Sequence, residues 1–357
     1  RHPHRPERAL LREPVLQPVG GGLTKNLVRA FALQRVSLIF AGIYSEKTYR
    51  YTMNRLKGFF YGLATSVTFG LIPLFTMPLM QGGMPLDSIL FYRFLFATLA
   101  LAGMMKLHKE SFRIERRDLP ILLLLAFFYM ASAQCLFLGY DYMGAGVATT
   151  LHFTYPVFVT LLMLVLFKER ASWVTWAAIV LAVYGVAKLS LKGGELVLDP
   201  TGMIIVLLSA VGYASYITTV NKSRVKDMNG RKLAFYVFVF TTILIAAKAL
   251  LNKGIQPIPD ALSAANLILL AVVPTVISNI TLVLAVHNIG GTLTSILGAM
   301  EPVTAVCVGA FVFGEAFTWQ EAFGIVLILV AVTLIILGKP IQNTLSSVFR
   351  MIRPRHA

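Results

Sequence analysis

Residues 302–327 read PVTAVCVGAFVFGEAFTWQEAFGIVL, and residues 156–181 read PVFVTLLMLVLFKERASWVTWAAIVL. The two stretches match without a gap at an offset of 146 positions. The recurring residues include Pro156, Phe167, Glu169, Trp173, Ile179, Val180 and Leu181, which return as Pro302, Phe313, Glu315, Trp319, Ile325, Val326 and Leu327. Earlier in each half, Phe91, Tyr92, Phe94 and Phe96 return at an offset of 144 as Phe235, Tyr236, Phe238 and Phe240. The chain is therefore internally duplicated, with a small difference in loop length.

The repeated unit is made of apolar segments long enough to cross a bilayer. Apolar residues form 57% of the chain and charged residues only 13%, which is far outside the composition of an ordinary soluble domain. Segments of about twenty mostly apolar residues are the length of a transmembrane helix. Ten such helices are predicted, over 57–79, 87–106, 119–139, 145–167, 172–191, 201–221, 232–251, 262–286, 291–313 and 318–338. We therefore predict an all-α integral membrane protein.

The distribution of Lys and Arg predicts which loops face the cytoplasm. With a cytoplasmic N-terminus, the cytoplasmic loops carry twelve of these residues and the outward loops carry four. The twelve are Lys106, Lys109, Arg113, Arg116, Arg117, Lys168, Arg170, Lys222, Arg224, Lys226, Arg231 and Lys232. The four are Lys188, Lys192, Lys248 and Lys253. We predict a multi-pass protein of the plasma (inner) membrane with both termini in the cytoplasm.

Each half contains five predicted spans, and this odd number places the second half in the opposite sense to the first. The prediction is therefore ten transmembrane helices arranged as two inverted five-helix repeats. Inverted repeats of this kind are typical of transporters, which expose a central site to each side of the membrane in turn.

The predicted organisation has four parts. Residues 1–52 form a basic extension, 57–191 and 201–338 are the two repeats, and 339–357 form a basic cytoplasmic tail. The extension carries nine Lys or Arg against three acidic residues and has no methionine before Met53. It is either an overcalled start, with translation beginning at Met53, or a disordered basic or targeting arm.

Several classes of protein are excluded by the sequence. The two cysteines, Cys135 and Cys307, lie deep in apolar runs and predict neither a disulfide framework nor a metal site. The net charge of +16 is spread between apolar segments and the termini, so a nucleic-acid partner is not expected. No phosphate-binding loop of the Walker pattern occurs, and no cofactor is predicted. An ion or solute gradient would then supply the energy, and protons are one candidate for the coupling ion.

The repeated motif resembles the EamA-like ten-helix branch of the drug/metabolite transporter superfamily. The resemblance is carried by the run from Glu301-Pro302-Val303 through Gly314-Glu315 to Thr318-Trp319-Gln320, by its weaker copy from Tyr155-Pro156-Val157 to Trp173, and by an Arg in the second span, Arg93. It covers residues 57–338. It implies a carrier of small organic solutes, amino-acid-like or drug-like, that works in the export direction, but it does not name the cargo.

Arg93 is the first candidate for the substrate pathway. It lies about seven residues into its span, and a charged side chain at that depth usually faces a bundle interior or a water-filled cavity. One interpretation is a fixed positive charge for an anionic group of the substrate. The other is a structural Arg that reaches the outer surface or bonds backbone carbonyls of a bent helix.

Glu301 and His152 are the other ionisable candidates. Glu301 lies near the middle of the ninth span, where it could pair with Arg93, carry a proton or bind an amine of the substrate. His152, followed by Tyr155 beside Pro156, could titrate during transport, but a hydrogen bond to a neighbouring helix is the more common role.

Other polar side chains within spans are weaker candidates for the pathway. They are Tyr92, Gln134, Tyr213 and Asn279. The motif residues Pro156 and Pro302 predict equivalent helix interruptions, and Trp173 and Trp319 suit the membrane interface. Glu169 and Glu315 precede helix starts and are predicted to be structural.

The function predicted from these features is secondary transport of small organic metabolites by alternating access. The alternative from another class is an integral-membrane lipid-modifying enzyme, for which Glu115 and Asp118 are the nearest pair of carboxylates. A sensor or scaffold would need a soluble signalling module, and the sequence shows none.

Overall fold

The computed structural model describes residues 53–169, 172–192, 195–196, 198–252, 254–316 and 318–352. The predictions for residues 1–52 lie outside this range. Ten helices follow one another: α1 Met53–Gln81, α2 Leu86–Leu107, α3 Leu119–Met143, α4 Ala145–Phe167, α5 Trp173–Ser190, α6 Pro200–Lys222, α7 Gly230–Leu250, α8 Ala261–Gly290, α9 Leu293–Val312 and α10 Trp319–Ile352. Between α5 and α6, β1 (Leu191–Lys192) pairs antiparallel with β2 (Glu195–Leu196).

The lengths and composition of these helices are those of membrane spans. Within the described ranges, nine helices are long and apolar enough to cross a bilayer, and the apolar part of α5, Trp173–Lys188, is shorter. The prediction of an all-α, ten-helix membrane protein is confirmed. The last span, Trp319–Leu337, matches the predicted one, and the helix α10 itself continues to Ile352 through most of the predicted tail. Beyond Pro340, apolar residues recur at helical spacing in the sequence, which favours an amphipathic continuation.

Helix starts are stabilised by side chains that the sequence places at them. The Asp199 carboxylate accepts hydrogen bonds from the backbone amides of Thr201 (2.7 Å) and Gly202 (3.0 Å) at the start of α6. The hydrogen bond from Gly202, followed by that from Thr201, lowers the pKa of Asp199. At the start of α10, the amide of Thr318 donates to Glu321 (2.7 Å) and the amide of Glu321 donates to Thr318 (3.2 Å), which is a capping box.

Prolines interrupt four of the helices at the centre of the fold. The helix breaks at Leu71 ahead of Pro73, and α8 contains a π-helical segment, Val272–Ile277, around Pro274. In α4 the break precedes Pro156, and in α9 it precedes Pro302. Because proline cannot donate to the helical ladder, the two copies of the repeat are interrupted at equivalent places.

Helix packing follows the two-fold relation between the halves. Helices α2, α4 and α5 pack against their repeat counterparts α7, α9 and α10, while α3 packs against α6 and α1 against α8. Because α3 corresponds to α8 in the repeat and α6 corresponds to α1, the α3–α6 and α1–α8 pairs are equivalent to each other. Close approach depends on small residues: a Cβ on Gly139 of α3 would lie 2.1 Å from the Val206 side chain of α6. The two inverted halves therefore share one continuous interface.

Individual hydrogen bonds repeat at the same offset as the sequence. The Tyr92 hydroxyl donates to the Gln256 carbonyl (3.1 Å), and the Tyr236 hydroxyl donates to the Phe112 carbonyl. The two donor residues are 144 positions apart, and so are the two acceptor residues. The repeated tyrosine thus ties each half to a loop of the other half at opposite ends of the α2–α7 pair.

Candidate functional site

A cavity of about 180 Å³ lies between the two halves, lined by α1, α2, α3, α4, α6, α8 and α9. Five of the eight predicted pathway residues line it: Arg93, His152, Tyr155, Tyr213 and Glu301. Their helices come from both repeats, so the two-fold interface brings them together. A central polar cavity at the repeat interface is the usual place of a transporter's substrate site.

Arg93 is held firmly inside the bundle. It is only 3% exposed, and its Nε donates to the Thr275 hydroxyl at 3.1 Å. That hydroxyl in turn donates to the Leu270 carbonyl at 3.0 Å, within the wide turn of the π-helical segment. The guanidinium carbon lies 5.3 Å from the centroid of the Phe94 ring and 5.6 Å from that of Phe137, a range in which cation–π attraction operates. Arg93 therefore does not reach out to the membrane surface.

Glu301 lies in the first turn of the α9 segment that follows the break, where the positive end of the helix dipole favours a carboxylate. In the part of the chain that the structure describes, it forms no ion pair with Arg93 and its carboxylate receives no hydrogen bond. The ion pair, one of the three roles considered for Glu301, is thus not formed. Thr275 and the two aromatic rings take the place of a carboxylate beside Arg93.

An aromatic wall completes the cavity. The rings of Tyr155 and Tyr213 meet edge to face at 4.8 Å, and Tyr213 stacks on Tyr216 at 5.8 Å. Tyr129 of α3 lies 5.3 Å from Tyr216 and also lines the cavity. Among the residues described, none is hydrogen-bonded to the hydroxyls of Tyr129, Tyr155 or Tyr213. These hydroxyls are therefore available to a solute or to water.

Sequence reasoning missed the contribution of α3. Its cavity residues are Tyr129, Ser132, Ala133, Leu136 and Phe137. They follow the i, i+3, i+4, i+7, i+8 spacing of one helix face, and this spacing, with a Tyr and a Ser at its start, is the signal that could have identified them.

His152 is 7% exposed and its Nδ1 lies 2.8 Å from the Ser209 hydroxyl of α6. Its ring is 5.5 Å from that of Tyr213 and 5.9 Å from that of Tyr155. The hydrogen bond to a neighbouring helix, which the sequence favoured, is present, and the ring also borders the cavity.

Two predicted pathway residues have partners outside the cavity. Tyr92 bonds the Gln256 carbonyl, as described above, and Asn279 donates to the Thr275 carbonyl one turn earlier in its own helix. Neither lines the cavity.

Gln134 belongs to a separate polar cluster near one end of the bundle. Its amide donates to the Asp87 carboxylate at 3.0 Å, and the Lys248 ammonium contacts the same oxygen at 2.8 Å. The cluster joins α2, α3 and α7: the Lys248–Asp87 pair links the two halves, and Gln134 bonds Asp87 within the first half.

The repeated glutamates lie at helix ends. The Glu315 carboxylate accepts hydrogen bonds from the amides of Ala145 (2.7 Å) and Gly146 (3.3 Å), and so caps α4 of the other half. Glu169 forms an ion pair with Lys222 at 2.8 Å. Trp173 and Trp319 are 67% and 93% exposed at helix starts, as interfacial anchors are.

Comparison with known proteins identifies the fold's family. The EamA-like transporter family matches residues 56–191 and again residues 200–337. The chain belongs to the EamA-like transporter family. The two matches coincide with the two five-helix halves, so the family unit is present twice.

Similar proteins are named as transporters. The uncharacterized transporter YdfC of Bacillus subtilis is 24% identical over 59% of this chain and 69% of its own length. The uncharacterized transporter sll1319 of Synechocystis is 27% identical over 56% of this chain and 61% of its own. The uncharacterized inner membrane transporter YedA of Escherichia coli is 25% identical over 55% and 63%. The matched regions thus span about two thirds of each relative.

A solved crystal structure has the same fold. It is 17% identical and superposes with a TM-score of 0.56, covering 79% of this chain and 96% of that chain. The family match therefore makes the protein a membrane transporter.

Proposed function

We propose that this protein is a secondary transporter that exports small organic metabolites across the plasma (inner) membrane by alternating access between its two halves. The observation that carries the proposal is the set of polar groups in the cavity that lack protein partners. Besides Nε, the Arg93 guanidinium has four N–H donors, and within the described chain none of them has an acceptor. The Glu301 carboxylate and the hydroxyls of Tyr129, Tyr155 and Tyr213 likewise have no hydrogen-bond partner among the described residues. These residues line the cavity, so a transported solute can bind these groups.

The chemistry of the cavity supports an amino-acid-like solute. Arg93 offers planar donors that suit a carboxylate, and Glu301 offers a carboxylate that suits an amine. Tyr155 and Tyr213 present ring surface for an apolar or aromatic group. A cavity of about 180 Å³ suits a small molecule.

The proposed direction of transport and the proposed orientation of the protein in the membrane have different support. The family resemblance supports export, and the excess of Lys and Arg in the loops on one side supports cytoplasmic termini. Glu301 is the candidate group for coupling to protons.

The enzyme alternative has weaker support. Glu115 and Asp118, the nearest pair of carboxylates, both face Arg224, at 2.8 Å and 3.9 Å. Arg224 lies in the loop between α6 and α7, so this cluster joins two loops. It lies apart from the cavity, whose lining includes neither carboxylate.

Counterflow in proteoliposomes tests the proposal. A panel of small metabolites is offered to the wild type and to Arg93→Ala, Glu301→Gln and Asn279→Ala. We expect counterflow of at least one carboxylate- or amine-bearing solute, its loss in the first two variants, and its retention in Asn279→Ala, whose side chain lies outside the cavity. Absence of counterflow for every solute, or wild-type counterflow in both cavity variants, would contradict the proposal.

A further inference from the structure

The hydrogen bonds around His152 determine which ring nitrogen carries the proton. The Ser209 hydroxyl lies 2.8 Å from His152 Nδ1 and 2.7 Å from the Ser132 carbonyl oxygen. A carbonyl can only accept, so the single hydroxyl proton of Ser209 points to Ser132. The Ser209 oxygen must then accept from Nδ1, which therefore carries a proton.

The Ser132 hydroxyl does not alter this assignment. It lies 3.4 Å from the Ser209 oxygen, and it can donate to the second lone pair of that oxygen while the bond from Nδ1 is kept. The chain of bonds thus runs from His152 through Ser209 to a carbonyl of α3, and it joins three helices.

The opposite nitrogen of the ring is then an acceptor. In a neutral imidazole with a proton on Nδ1, Nε2 has a free lone pair and cannot donate. In the described part of the chain, Nε2 has no hydrogen-bond partner, and the ring lines the cavity between Tyr155 and Tyr213.

The geometry points to His152 as a specificity-determining residue that accepts a hydrogen bond from an O–H or N–H group of the transported solute, with Ser209 as the residue that positions its proton. The inference rests on the proposed transport through this cavity. It adds a third point of recognition to Arg93 and Glu301, and it selects solutes that carry a donor beyond their carboxylate and amine. The solute class is therefore amino-acid-like compounds with a hydroxyl or amide on the side chain.

Two measurements test this inference. The first uses nitrogen-15 NMR of the histidine-labelled wild type in detergent, with His152 assigned by the signal lost in His152→Gln. We expect a protonated Nδ1 and a bare Nε2 in the wild type and in Ser209→Thr, and a mixture of tautomers in Ser209→Ala. A proton on Nε2 in the wild type would overturn the inference.

The second measurement compares counterflow of solutes that differ by one hydroxyl: L-serine with L-alanine, L-tyrosine with L-phenylalanine, and 4-hydroxyproline with proline. A neutral hydrogen bond corresponds to a preference of about threefold to tenfold. We expect such a preference for the hydroxylated member of at least one pair, its fall to a ratio near one in His152→Phe, a smaller fall in Ser209→Ala, where one tautomer still accepts, and its retention in Ser209→Thr. Ser215→Ala is the matched control, because Ser215 lies on the same helix and, among the described residues, its hydroxyl bonds only the Val211 carbonyl.

The outcomes separate this inference from the proposed function. A preference that survives in His152→Phe, or a wild type that moves both members of every pair equally well, overturns the role of His152 and leaves transport intact. A wild type that moves none of these solutes contradicts the proposed amino-acid-like substrate. In that case the nitrogen NMR signals decide. An unprotonated Nε2 supports the role of His152 as a hydrogen-bond acceptor, and a protonated Nε2 contradicts it.

Discussion

Replacing Thr275 by Val tests how Arg93 is held in the cavity. The change keeps the shape of the side chain but removes the oxygen that lies 3.1 Å from Arg93 Nε. A hydrogen bond to a charged group contributes about 1.5–3 kcal/mol, and at a residue that is 3% exposed water cannot easily replace it. We expect the free energy of unfolding to fall by roughly this amount, and the guanidinium to lose its fixed orientation.

Transport should be impaired mainly for solutes that carry a carboxylate. If Arg93 binds the carboxylate of the solute, Thr275→Val should raise the KM for an amino acid by about tenfold, which corresponds to about 1.4 kcal/mol, and should change the KM for its carboxamide much less. Thr275→Ser keeps the acceptor and should behave as the wild type. Thr242→Val is the control, since within the described ranges the Thr242 hydroxyl bonds only the Phe238 carbonyl of its own helix. Equal KM changes for acid and amide, or a Thr275→Val protein no different from Thr242→Val, would refute the reasoning.

Three further predictions concern groups around the cavity and between the halves. Collapsing the pH gradient should slow transport by the wild type; a wild type that is indifferent to the gradient removes the proton-coupling role of Glu301. Glu315→Ala should lower the free energy of unfolding by about 0.5–2 kcal/mol, since it removes the cap of α4, with thermal unfolding in detergent as the measurement and an unchanged midpoint as the contrary result. Tyr92→Phe and Tyr236→Phe should destabilise by about 1 and about 0.5 kcal/mol, the second bond being the more exposed, and by the sum of both in the double variant, because distant sites add.

The membrane fold could be predicted because its signals are local. Apolar runs of bilayer length and the repeated Pro, Glu and Trp positions are visible in the sequence without tertiary information. The capping box of Thr318 and Glu321 is a local signal of the same kind, since its residues are three positions apart. The continuation of α10 to Ile352, beyond its apolar span, is not part of the prediction.

The site could be predicted only in part, because its contacts depend on how distant helices are rotated against one another. Arg93 and Glu301 were expected to be possible partners, yet a hydroxyl in the π-helical turn of α8 occupies Arg93 Nε. Tyr129 enters the cavity because α3 turns that face inward. Glu315 was predicted to be structural at a helix start, but the helix that it caps is α4 of the other repeat. No pattern along the chain specifies these pairings.

The most direct test of a shared cavity that opens to each side in turn is thiol labelling at Ala133, a small residue of its wall. Ala133→Cys is made in a protein whose native Cys135 and Cys307 are replaced, and a membrane-impermeant reagent is added to either face. We predict labelling from both faces, with protection from both by the solute found in counterflow. Labelling from one face only, or labelling that the solute does not slow, would contradict the account.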